Sequence, residues 1–581
     1  CITIMRRGWF LWNVGIYLPL SILLPMSQSF VLFRRSSSHS FRYHPSRRFL
    51  STTTLSSSSS LLTITDYLSS KLQDPSILLD WNPTSTHSCS TTNTTTFPVY
   101  DPASQDTLLA QVPSFSATTV HEILQASHHA LTQWRDGTTA ANRSTLLQEW
   151  SRQMKRHSHD LATIMTLESG KPWSESISEV SYAASFLDYY AGEAVRSTNA
   201  GFLIPTPFTT SPTTTATSTS SSPAPRGQLL AQFEAVGVCA MITPWNFPLA
   251  MITRKVGPAM AAGCTAVVKP SDLTPLSAMA LANLGYRVGI PSSVLSIVTA
   301  APHADTIAIG QALSTHPLVK KISFTGSTKV GKWLLEQSAS TVKRVSLELG
   351  DNAPLIVFDD ANLAQAVQAA VASKFRNAGQ TCVCADRFLV HTSIHDDFVQ
   401  LLTEQIQQTV AKQIGHGLDP STTMGPLIST AAVDSVDTKV QQAMAMGATC
   451  HLGGSRINKG VGSNQFYAPT ILTNVPLEAD IWKTEVFGPV IAIHTFETEE
   501  EALAIANDSS AGLAAYFCTQ DLGRTMRVSK KLECGIVGVN EGIISTCAAP
   551  FGGVKESGLG REGSSMGLAE YLEIKYVFIN Y

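Results

Sequence analysis

A cysteine and a glutamate stand in two short segments that could support covalent chemistry. Cys382 lies in the segment Asn377-Ala-Gly-Gln-Thr-Cys-Val-Cys384, and Glu348 lies 34 residues upstream in Leu347-Glu-Leu-Gly350. The glycines predict a loop-like setting for both groups. A nucleophilic thiol needs a turn that exposes its sulfur and a partner group that completes the reaction. The pair therefore indicates thiol chemistry with a carboxylate partner.

Strands and helices alternate upstream of Glu348, which is typical of a doubly wound parallel sheet. Periodic stretches predict helices at Ala250–Ala262 and Leu276–Val288. Short apolar runs predict buried strands at Val236–Ile242 and Cys264–Lys269, and Leu295–Val298 and Lys321–Phe324 complete the alternation of strand and helix. Ligands of such sheets bind at the carboxyl ends of the strands, which here are Thr243–Asn246, Lys269–Asp272 and Thr325–Ser327.

The rest of the chain divides by pattern. Apolar residues at three- and four-residue spacing predict amphipathic helices from Val120 to Gly192, with a break at Gly170-Lys-Pro172. Thr209–Pro225 is a low-complexity stretch that predicts a surface insertion. A second α/β rhythm runs from Leu355 to Val539. Tyr571–Ile579 alternates polar and apolar residues, so we expect an exposed strand that pairs across a subunit interface.

Composition bounds the classes of protein to consider. The 581 residues are 44% hydrophobic and 15% charged, a globular balance with room for two or three domains. The net charge is −3, but residues 1–65 hold seven arginines, no lysine and no acid. The remainder therefore carries 34 bases against 44 acids, which argues against a nucleic-acid partner. The ten cysteines form no Cys-x-x-Cys pair and no Cys/His cluster, so we predict no metal site.

The first 65 residues are predicted to be a targeting region, not part of the fold. The chain begins with Cys, and Met5 and Met26 are both candidate starts. From Met26 the segment is rich in Arg and Ser and free of acids, like a mitochondrial or chloroplast transit peptide. From Met5, Arg6-Arg7 and the apolar run Trp9–Leu24 resemble a signal peptide or anchor. We predict a mitochondrial protein, with a plastid as the alternative, and no membrane association of the mature chain.

Over residues 66–581 the chain resembles the aldehyde dehydrogenase superfamily. Seven ordered segments carry the resemblance: Thr243-Pro-Trp-Asn-Phe-Pro248, Val268-Lys-Pro270, Phe324-Thr-Gly-Ser327, Leu347-Glu-Leu-Gly350, Gly379-Gln-Thr-Cys382, Glu485-Val-Phe-Gly-Pro489 and Pro550-Phe-Gly-Gly553. The resemblance implies an α/β fold with a doubly wound NAD(P)-binding domain, an α/β catalytic domain and a small oligomerisation β-hairpin. The implied boundaries are 1–65 for targeting, 66–194 and 232–349 for the cofactor domain, 195–231 for the hairpin with its insertion, 350–545 for the catalytic domain, and 546–581 for the return to the cofactor domain and a C-terminal oligomerisation strand.

The resemblance also implies catalytic roles. Cys382 would attack the aldehyde carbon as the thiolate. The side-chain amide of Asn246 and the backbone N–H of Cys382 would stabilise the resulting oxyanion. Hydride transfer to the nicotinamide would leave a thioester, and Glu348 would activate water to hydrolyse it.

The expected cofactor is NAD, and NADP is the alternative. Lys269 and Glu485 would hold its riboses, Ser327 would lie near its pyrophosphate, and Trp245 would line the site. Asp272 follows Lys269 by three residues, where a carboxylate often binds the adenosine ribose; the more usual residue is the longer Glu, so a 2′-phosphate would have space. The complete predicted set is Thr243, Pro244, Trp245, Lys269, Ser271, Asp272, Gly326, Ser327, Gly350, Glu485 and Phe487.

Four further segments resemble the members of the superfamily that oxidise succinate semialdehyde: Met251-Ile-Thr-Arg-Lys-Val-Gly257, Lys374-Phe-Arg-Asn377, Cys382-Val-Cys384 and Gly558-Leu-Gly-Arg-Glu-Gly563. The distal carboxylate of that substrate suits an arginine clamp. By this resemblance Arg254 and Arg376 are the clamp, and Thr546 supplies a hydroxyl. Without the resemblance, either arginine would be read as a helix cap or a salt-bridge partner. Cys384 could form a reducible disulfide with Cys382 and act as a redox switch, or it could be a small buried hydrophobe.

One position departs from the family. Asp351 follows Gly350, where a second glycine is usual. The expectation is either a carboxylate that raises the pKa of the Cys382 thiol or a side chain that points to solvent.

The predicted function is oxidation of succinate semialdehyde in the breakdown of 4-aminobutanoate, by a homo-oligomer. The alternatives are another aldehyde, such as glutarate semialdehyde or broad aliphatic aldehydes, and a catalytically silent homologue that only Asp351 supports.

Overall fold

The computed structural model describes residues 62–80, 95–196, 200–209, 226–459 and 464–580. Most of the predicted targeting region and most of the Thr/Ser-rich insertion therefore lie outside the described residues. The fold begins slightly earlier than the predicted boundary at residue 66. Leu62 is buried, and Thr63–Ile64 pairs with a strand that contains Gln111.

Strands make up five sheets of the described chain. In chain order they are β1 Thr63–Ile64, β2 Thr95–Asp101, β3 Ser104–Ser114, β4 Gly201–Ile204, β5 Gln228–Ala235, β6 Val238–Ile242, β7 Thr265–Lys269, β8 Leu295–Ile297, β9 Val319–Thr325, β10 Arg344–Glu348, β11 Ala353–Val357, β12 Ala385–His391, β13 Thr449–Leu452, β14 Arg456–Ile457, β15 Phe466–Tyr467, β16 Thr470–Thr473, β17 Val490–Phe496, β18 Ala514–Cys518, β19 Ile536–Val539, β20 Gly558–Leu559 and β21 Leu572–Ile579.

Helices cover the faces of the larger sheets. In chain order they are α1 Asp66–Lys71, α2 Ser76–Leu79, α3 Ala117–Gly137, α4 Ala140–Arg156, α5 Ser158–Ser169, α6 Trp173–Ala194, α7 Ala250–Ala262, α8 Pro275–Arg287, α9 Ala304–Thr315, α10 Thr328–Ser338, α11 Leu363–Lys374, α12 His395–Gln408, α13 Thr430–Ala445, α14 Asp480–Lys483, α15 Glu499–Asn507, α16 Leu522–Lys531 and α17 Ser564–Ala569. Short 3₁₀ turns lie at Ala339–Thr341, Arg376–Gly379, Thr392–Ile394 and Lys555–Ser557.

The first large sheet is the predicted doubly wound sheet. Its order is β20-β10-β9-β6-β7-β8, and every pairing is parallel except the antiparallel one of β20 with β10. The predicted helix Ala250–Ala262 is found with those bounds as α7. Strands β6 and β7 are buried along nearly their whole length, as expected for parallel strands covered on both faces. The α/β fold expected from the sequence is confirmed.

The second large sheet contains the later α/β rhythm. Its order is β13-β16-β17-β12-β11-β18-β19, parallel except where β13 meets β16. All five residues of β11 and of β18 are buried. The short turn from Glu348 to Ala353 joins the first sheet to the second. Each sheet has its own apolar core.

A small antiparallel sheet, β21-β5-β4, stands apart from these two. The predicted C-terminal strand is β21, and it pairs with β5 along its whole length, from Leu572 opposite Ala235 to Ile579 opposite Gln228. Large apolar side chains of this sheet are exposed, among them Phe202, Leu203, Ile574, Tyr576 and Phe578.

The predicted helical region is four helices, α3 to α6. The break at Gly170-Lys-Pro172 separates α5 from α6 because Gly170 ends α5 with φ of 81°, a left-handed conformation that favours glycine. Of the helices that the structure describes, none has the length and apolarity to cross a membrane. Within the same described ranges, no group of three or more His, Cys, Asp or Glu side chains could hold a metal ion.

Candidate active site

The ends of both large sheets border one pocket that contains the predicted nucleophile. The pocket has a volume of about 220 Å³. Its lining residues are Pro244, Trp245, Asn246, Thr325, Gly326, Ser327, Glu348, Leu349, Gly350, Cys382, Glu485 and Phe487. All three predicted catalytic residues and seven of the eleven predicted cofactor residues are therefore brought together.

Cys382 follows a turn of unusual backbone conformation. Asn377 and Ala378 both have φ of 53°, and Gly379 has φ of 78°. Left-handed residues other than glycine cost roughly 1 kcal/mol or more each, so two in succession before Gly379 mark a shape that the surroundings impose. A side chain at position 379 would also meet the Gly488 carbonyl oxygen, 2.2 Å from its Cβ. The turn ends the helical segment after α11 and leaves the Cys382 side chain half-buried at the pocket.

The thiol of Cys382 lies among charges of both signs. Burial raises its pKa to about 12, the positive charge of Arg254 lowers it, and the nearby carboxylates of Glu485, Glu348 and Asp351 raise it further. The thiol is therefore protonated at neutral pH in this state. Nucleophilic attack requires its proton to leave.

Glu348 is the last residue of β10, and its side chain is buried. Its Oε2 has no hydrogen-bond partner among the described residues. Burial raises its pKa well above the ordinary range, and the carboxylate of Glu562 raises it further, while Lys255 and Arg254 lower it. A buried carboxylate with a raised pKa and an oxygen that lacks a partner is suited to accept a proton from water.

The sequence prediction missed Lys255 and Glu562, which act on Glu348. Lys255 Nζ donates to Glu562 Oε1 and to Ser323 Oγ, the latter at 3.1 Å. Both charged side chains are buried. A sequence signal existed, because Lys255 and Glu562 lie in segments that carry the resemblance, but nothing in the sequence shows that α7 and the loop after β20 meet behind Glu348.

Asn246 lies just after β6 and is buried. Its Nδ2 donates to the carbonyl of Gln380 at 3.1 Å, two residues before the thiol. Its Oδ1 has no partner within the described chain. One amide hydrogen therefore remains to be used, and the amide lies beside the nucleophile turn as oxyanion stabilisation requires.

The predicted phosphate and ring contacts line the same pocket. Ser327 caps the N-terminus of α10, where its Oγ accepts from the Val330 N–H. Trp245 and Phe487 meet edge to face, with ring centroids 5.5 Å apart. Gly350 lies close to Glu485, since a Cβ at this position would be 2.8 Å from Glu485 Oε2 and the glutamate side chain would have to shift.

Four predicted cofactor residues do not line this pocket. Thr243 and Lys269 are buried at the ends of β6 and β7, and Lys269 Nζ donates to the Pro270 carbonyl at 3.1 Å. Burial lowers the pKa of Lys269. The Ser271 hydroxyl accepts from the Leu273 N–H. Asp272 lines a separate pocket of about 300 Å³, together with Glu168.

The three predicted clamp residues lie in different surroundings. Arg254, on α7, is 2% exposed, and its guanidinium donates to the Tyr182 hydroxyl at 2.5 Å. Its Nε has no partner among the described residues, and its charge acts on Cys382 and Glu348. Arg376 lies over the Phe247 ring at 4.8 Å. Thr546 is exposed, and its hydroxyl accepts only from the Ala548 N–H among the bonds described.

The structure contradicts one of the two expectations for Asp351. Its carboxylate is 5% exposed, so the prediction of a side chain pointing to solvent is wrong. The two oxygens accept from the N–H groups of Leu513 and Ala514, at 3.1 and 2.7 Å. Asp351 is also absent from the residues of positive φ, so the turn does not need the freedom of glycine there. The other expectation agrees with the structure, since the Asp351 carboxylate raises the pKa of the Cys382 thiol.

Cys384 is buried and is a free thiol, as is Cys382. Its Sγ donates to the Lys374 carbonyl at 3.4 Å. The redox switch stays a prediction.

The sequence matches the model of the aldehyde dehydrogenase family over residues 89–577. It is 48% identical over 482 residues to the NADP(+) succinate-semialdehyde dehydrogenase GabD of Escherichia coli (strain K12), covering 83% of this chain and 94% of that protein. It is 49% identical over 483 residues to the mitochondrial succinate-semialdehyde dehydrogenase of Arabidopsis thaliana, covering 83% and 86%. The crystal structure of succinate-semialdehyde dehydrogenase from Burkholderia pseudomallei superimposes with a TM-score of 0.79 at 43% identity, over 88% of this chain and 100% of that one.

Proposed function

Because the chain belongs to the aldehyde dehydrogenase family, we propose that it oxidises succinate semialdehyde to succinate with NAD or NADP. The observation that carries the choice of substrate is Arg254. This guanidinium is almost fully buried, keeps one N–H without a partner among the described residues, and acts electrostatically on Cys382. A buried cation with a spare donor beside the nucleophile suits an aldehyde whose far end is a carboxylate.

A nicotinamide dinucleotide fits the residues at the pocket. The hydroxyls of Thr243 and Thr325 are buried at the ends of the neighbouring strands β6 and β9, and neither has a partner among the described residues. Ser327 begins α10, whose N-terminal N–H groups favour a phosphate. We assign Lys269 and Glu485 to the riboses and Trp245 to the wall. When bound, the dinucleotide supplies the hydride acceptor; NAD is the expected form and NADP the alternative.

The reaction begins at the Cys382 thiol, which must lose its proton to attack the aldehyde carbon. Attack forms a carbon–sulfur bond and moves a negative charge onto the former carbonyl oxygen. The remaining N–H of the Asn246 amide and the backbone N–H of Cys382 donate to that oxygen. Because Asn246 is buried and held beside the nucleophile turn, its donor needs little reorganisation.

Loss of the hydride from the former aldehyde carbon to the bound dinucleotide would leave a Cys382 thioester, and Glu348 then promotes its hydrolysis. Its free Oε2 accepts a proton from water, the water oxygen bonds to the acyl carbon, and the sulfur leaves. The raised pKa of Glu348 makes it a stronger base than an exposed glutamate. Lys255 and Glu562 form a buried ion pair, in which Glu562 raises the pKa of Glu348 and Lys255 lowers it. The product is a carboxylate, and the step belongs to the breakdown of 4-aminobutanoate.

The clamp is tested by comparing kcat/KM for succinate semialdehyde and butanal in Arg254→Ala and Arg376→Ala variants. A lost charge-assisted contact should lower the value for succinate semialdehyde about 100-fold and that for butanal less than about 3-fold. Arg152→Ala is the matched control, because Arg152 is exposed and pairs only with Glu149 among the ion pairs described.

The alternatives give different results. Equal losses on both substrates would mean that the arginines shape the pocket and do not recognise a carboxylate. Unchanged rates would leave an aldehyde dehydrogenase for another aldehyde. No turnover by the unmodified protein would favour the catalytically silent homologue.

We also propose that copies of the chain associate through the β21-β5-β4 sheet and that the protein is mitochondrial. The exposed Ile574, Tyr576 and Phe578 of β21 support association, since exposed apolar side chains concentrated on one strand mark a contact surface. Ile574→Lys together with Tyr576→Lys should reduce the mass measured by light scattering at unchanged helical content. The acid-free, arginine-bearing first 65 residues support import.

A further inference from the structure

A network of buried charges reaches the site from the start of helix α6. Lys171 precedes this helix, and Glu175 and Glu179 lie in its first two turns, at the four-residue spacing that places side chains on one face. Lys171 is 1% exposed and Glu179 is 3% exposed, and Lys171 Nζ lies 2.6 Å from Glu179 Oε2. None of these residues lines the pocket.

The network holds both ends of the segment that carries Asn246. Lys171 Nζ donates to the Asn246 carbonyl at 2.6 Å. The second oxygen of Glu179 accepts from the N–H groups of Leu249 and Ala250, at 3.0 and 3.2 Å, where α7 begins. A single buried ion pair therefore contacts this segment twice, at Asn246 itself and again where α7 begins.

The same network reaches the turn before the nucleophile. Asn377 Nδ2 donates to the Asn246 carbonyl at 3.1 Å, so this one oxygen receives donors from Lys171 and from the left-handed turn. Glu175 Oε2 accepts from the Asn377 N–H at 2.7 Å. The Phe247 ring lies between two cations, Lys171 Nζ at 4.4 Å and Arg376 Cζ at 4.8 Å from its centroid.

We propose that the buried pair Lys171–Glu179 positions Asn246 against the nucleophile turn, and so sets the distance between the oxyanion donor and the thiol. This inference rests on the proposed function, in which Asn246 donates to the oxyanion. A buried ion pair is weak evidence for stability, because an apolar pair of similar size often replaces it without loss. Its contacts here are instead directed to the backbone of the segment that carries Asn246. Lys171 and Glu179 are positioning residues, since neither borders the reacting atoms.

The test is a double-mutant cycle with the charge-neutral variant Lys171→Met/Glu179→Gln. This variant removes both charges of the pair together, and the glutamine oxygen can still accept from the Leu249 and Ala250 N–H groups. What is lost is the Lys171 donor to the Asn246 carbonyl and the Lys171 contact with the Phe247 ring. We expect kcat for succinate semialdehyde to fall about 10- to 100-fold, as a misplacement of about 1 Å can cause, with KM changed less than about 3-fold.

The second arm introduces the same pair of changes into Asn246→Ala. If the pair acts through Asn246, the further loss in kcat should be less than about 2-fold, because the donor is already gone. Asp188→Asn is the matched control on α6: its exposed carboxylate pairs with Lys155, and its kcat should be unchanged. Circular dichroism and the unfolding temperature confirm that each variant is folded.

The outcomes separate the two claims. Equal fold losses in the wild-type and Asn246→Ala backgrounds, or no loss in either, would overturn the positioning role. A normal kcat for Asn246→Ala by itself would overturn the oxyanion assignment of the proposed function, and the inference with it. If the charge-neutral variant does not fold, Lys171→Met alone is carried through the same cycle with the same expectation, because it also removes the donor to the Asn246 carbonyl.

Discussion

The two walls of the pocket are built in different ways. The wall from the first sheet consists of strand ends: Asn246 follows β6, Gly326 follows β9, and Glu348 ends β10. The wall from the second sheet consists of loops, in which the Asn377–Gly379 turn and Phe487 have positive φ. Parallel strand pairing places the first set of side chains with ordinary backbone geometry. The second set depends on strained backbone, which persists only where surrounding contacts over-determine it.

Buried acidic groups lie at the second wall as well. Behind the second wall, the buried Asp386 carboxylate pairs with Lys374 and accepts from the Val486 N–H. Burial raises the pKa of Glu485 to about 8, and the carboxylates of Asp386 and Asp351 raise it as well. Cys382 therefore lies on the strained wall, beside a buried carboxyl group whose pKa is raised. The comparison shows that strand pairing places the side chains of the first wall, whereas buried polar contacts must stabilise the loops of the second wall.

The largest expected effect comes from the second wall. Cys382→Ala removes the thiol proposed to bond to the aldehyde carbon, so kcat should fall at least about 10⁴-fold. Binding of NAD, followed by fluorescence quenching, should be retained because the cofactor contacts lie elsewhere. Substantial aldehyde oxidation by this variant would show that the second wall does not carry the chemistry. The matched control is Cys450→Ala, since Cys450 is exposed and distant from the pocket lining.

The next effect concerns the first wall. Glu348→Gln should lower kcat about 10²- to 10⁴-fold by slowing thioester hydrolysis. The burst of NADH from the first turnover should remain, since acylation of Cys382 does not need this base. In the unmodified protein kcat should rise with pH through the raised pKa of Glu348, because only the ionised form is a base.

Glu348→Gln should lack that limb of the pH profile. A variant that loses the burst as well as steady-state turnover would place Glu348 before acylation and contradict the assignment. Glu336→Gln, on α10, is the matched control outside the pocket lining.

The smallest effect tests the junction between the walls. Asp351→Asn removes a negative charge that raises the pKa of the Cys382 thiol, so that pKa should fall and the thiolate fraction at pH 8 should rise. Alkylation of Cys382 by iodoacetamide should become several-fold faster at that pH. Asp359→Asn, an exposed carboxylate paired with Arg524, should leave the rate unchanged.

The variant Asp351→Gly tests the same effect of the Asp351 charge on the Cys382 thiol. It should give a similar gain in alkylation rate but lower the free energy of unfolding by about 1–3 kcal/mol, because the Leu513 and Ala514 N–H groups lose their acceptors. An alkylation rate that is unchanged in both variants would show that the charge of Asp351 does not reach the thiol.

The sequence by itself determined the elements and the chemistry of this protein. Apolar runs predicted β6 and β7, and the alternation of strand and helix predicted β8 and β9, to within two residues at every end. Parallel strands covered on both faces are mostly apolar, so they stand out from the helices between them. The segments around Cys382, Glu348 and Asn246 were sufficient to predict a thiol enzyme of one family. The information lies within these short segments, because the chemistry requires their glycines and reactive side chains whatever elements surround them.

Only the tertiary structure decided how distant charges act on those groups. That Glu562 lies against Lys255, that Asp351 binds the N–H groups of residues 513 and 514, and that Lys171 holds the Asn246 carbonyl are contacts between segments far apart in sequence. No local periodicity encodes them, because each depends on how helices and loops of different sheets meet. The pKa of a buried group is set by these neighbours, so the reactivity of Cys382 and Glu348 follows from packing and not from the motifs that identify them.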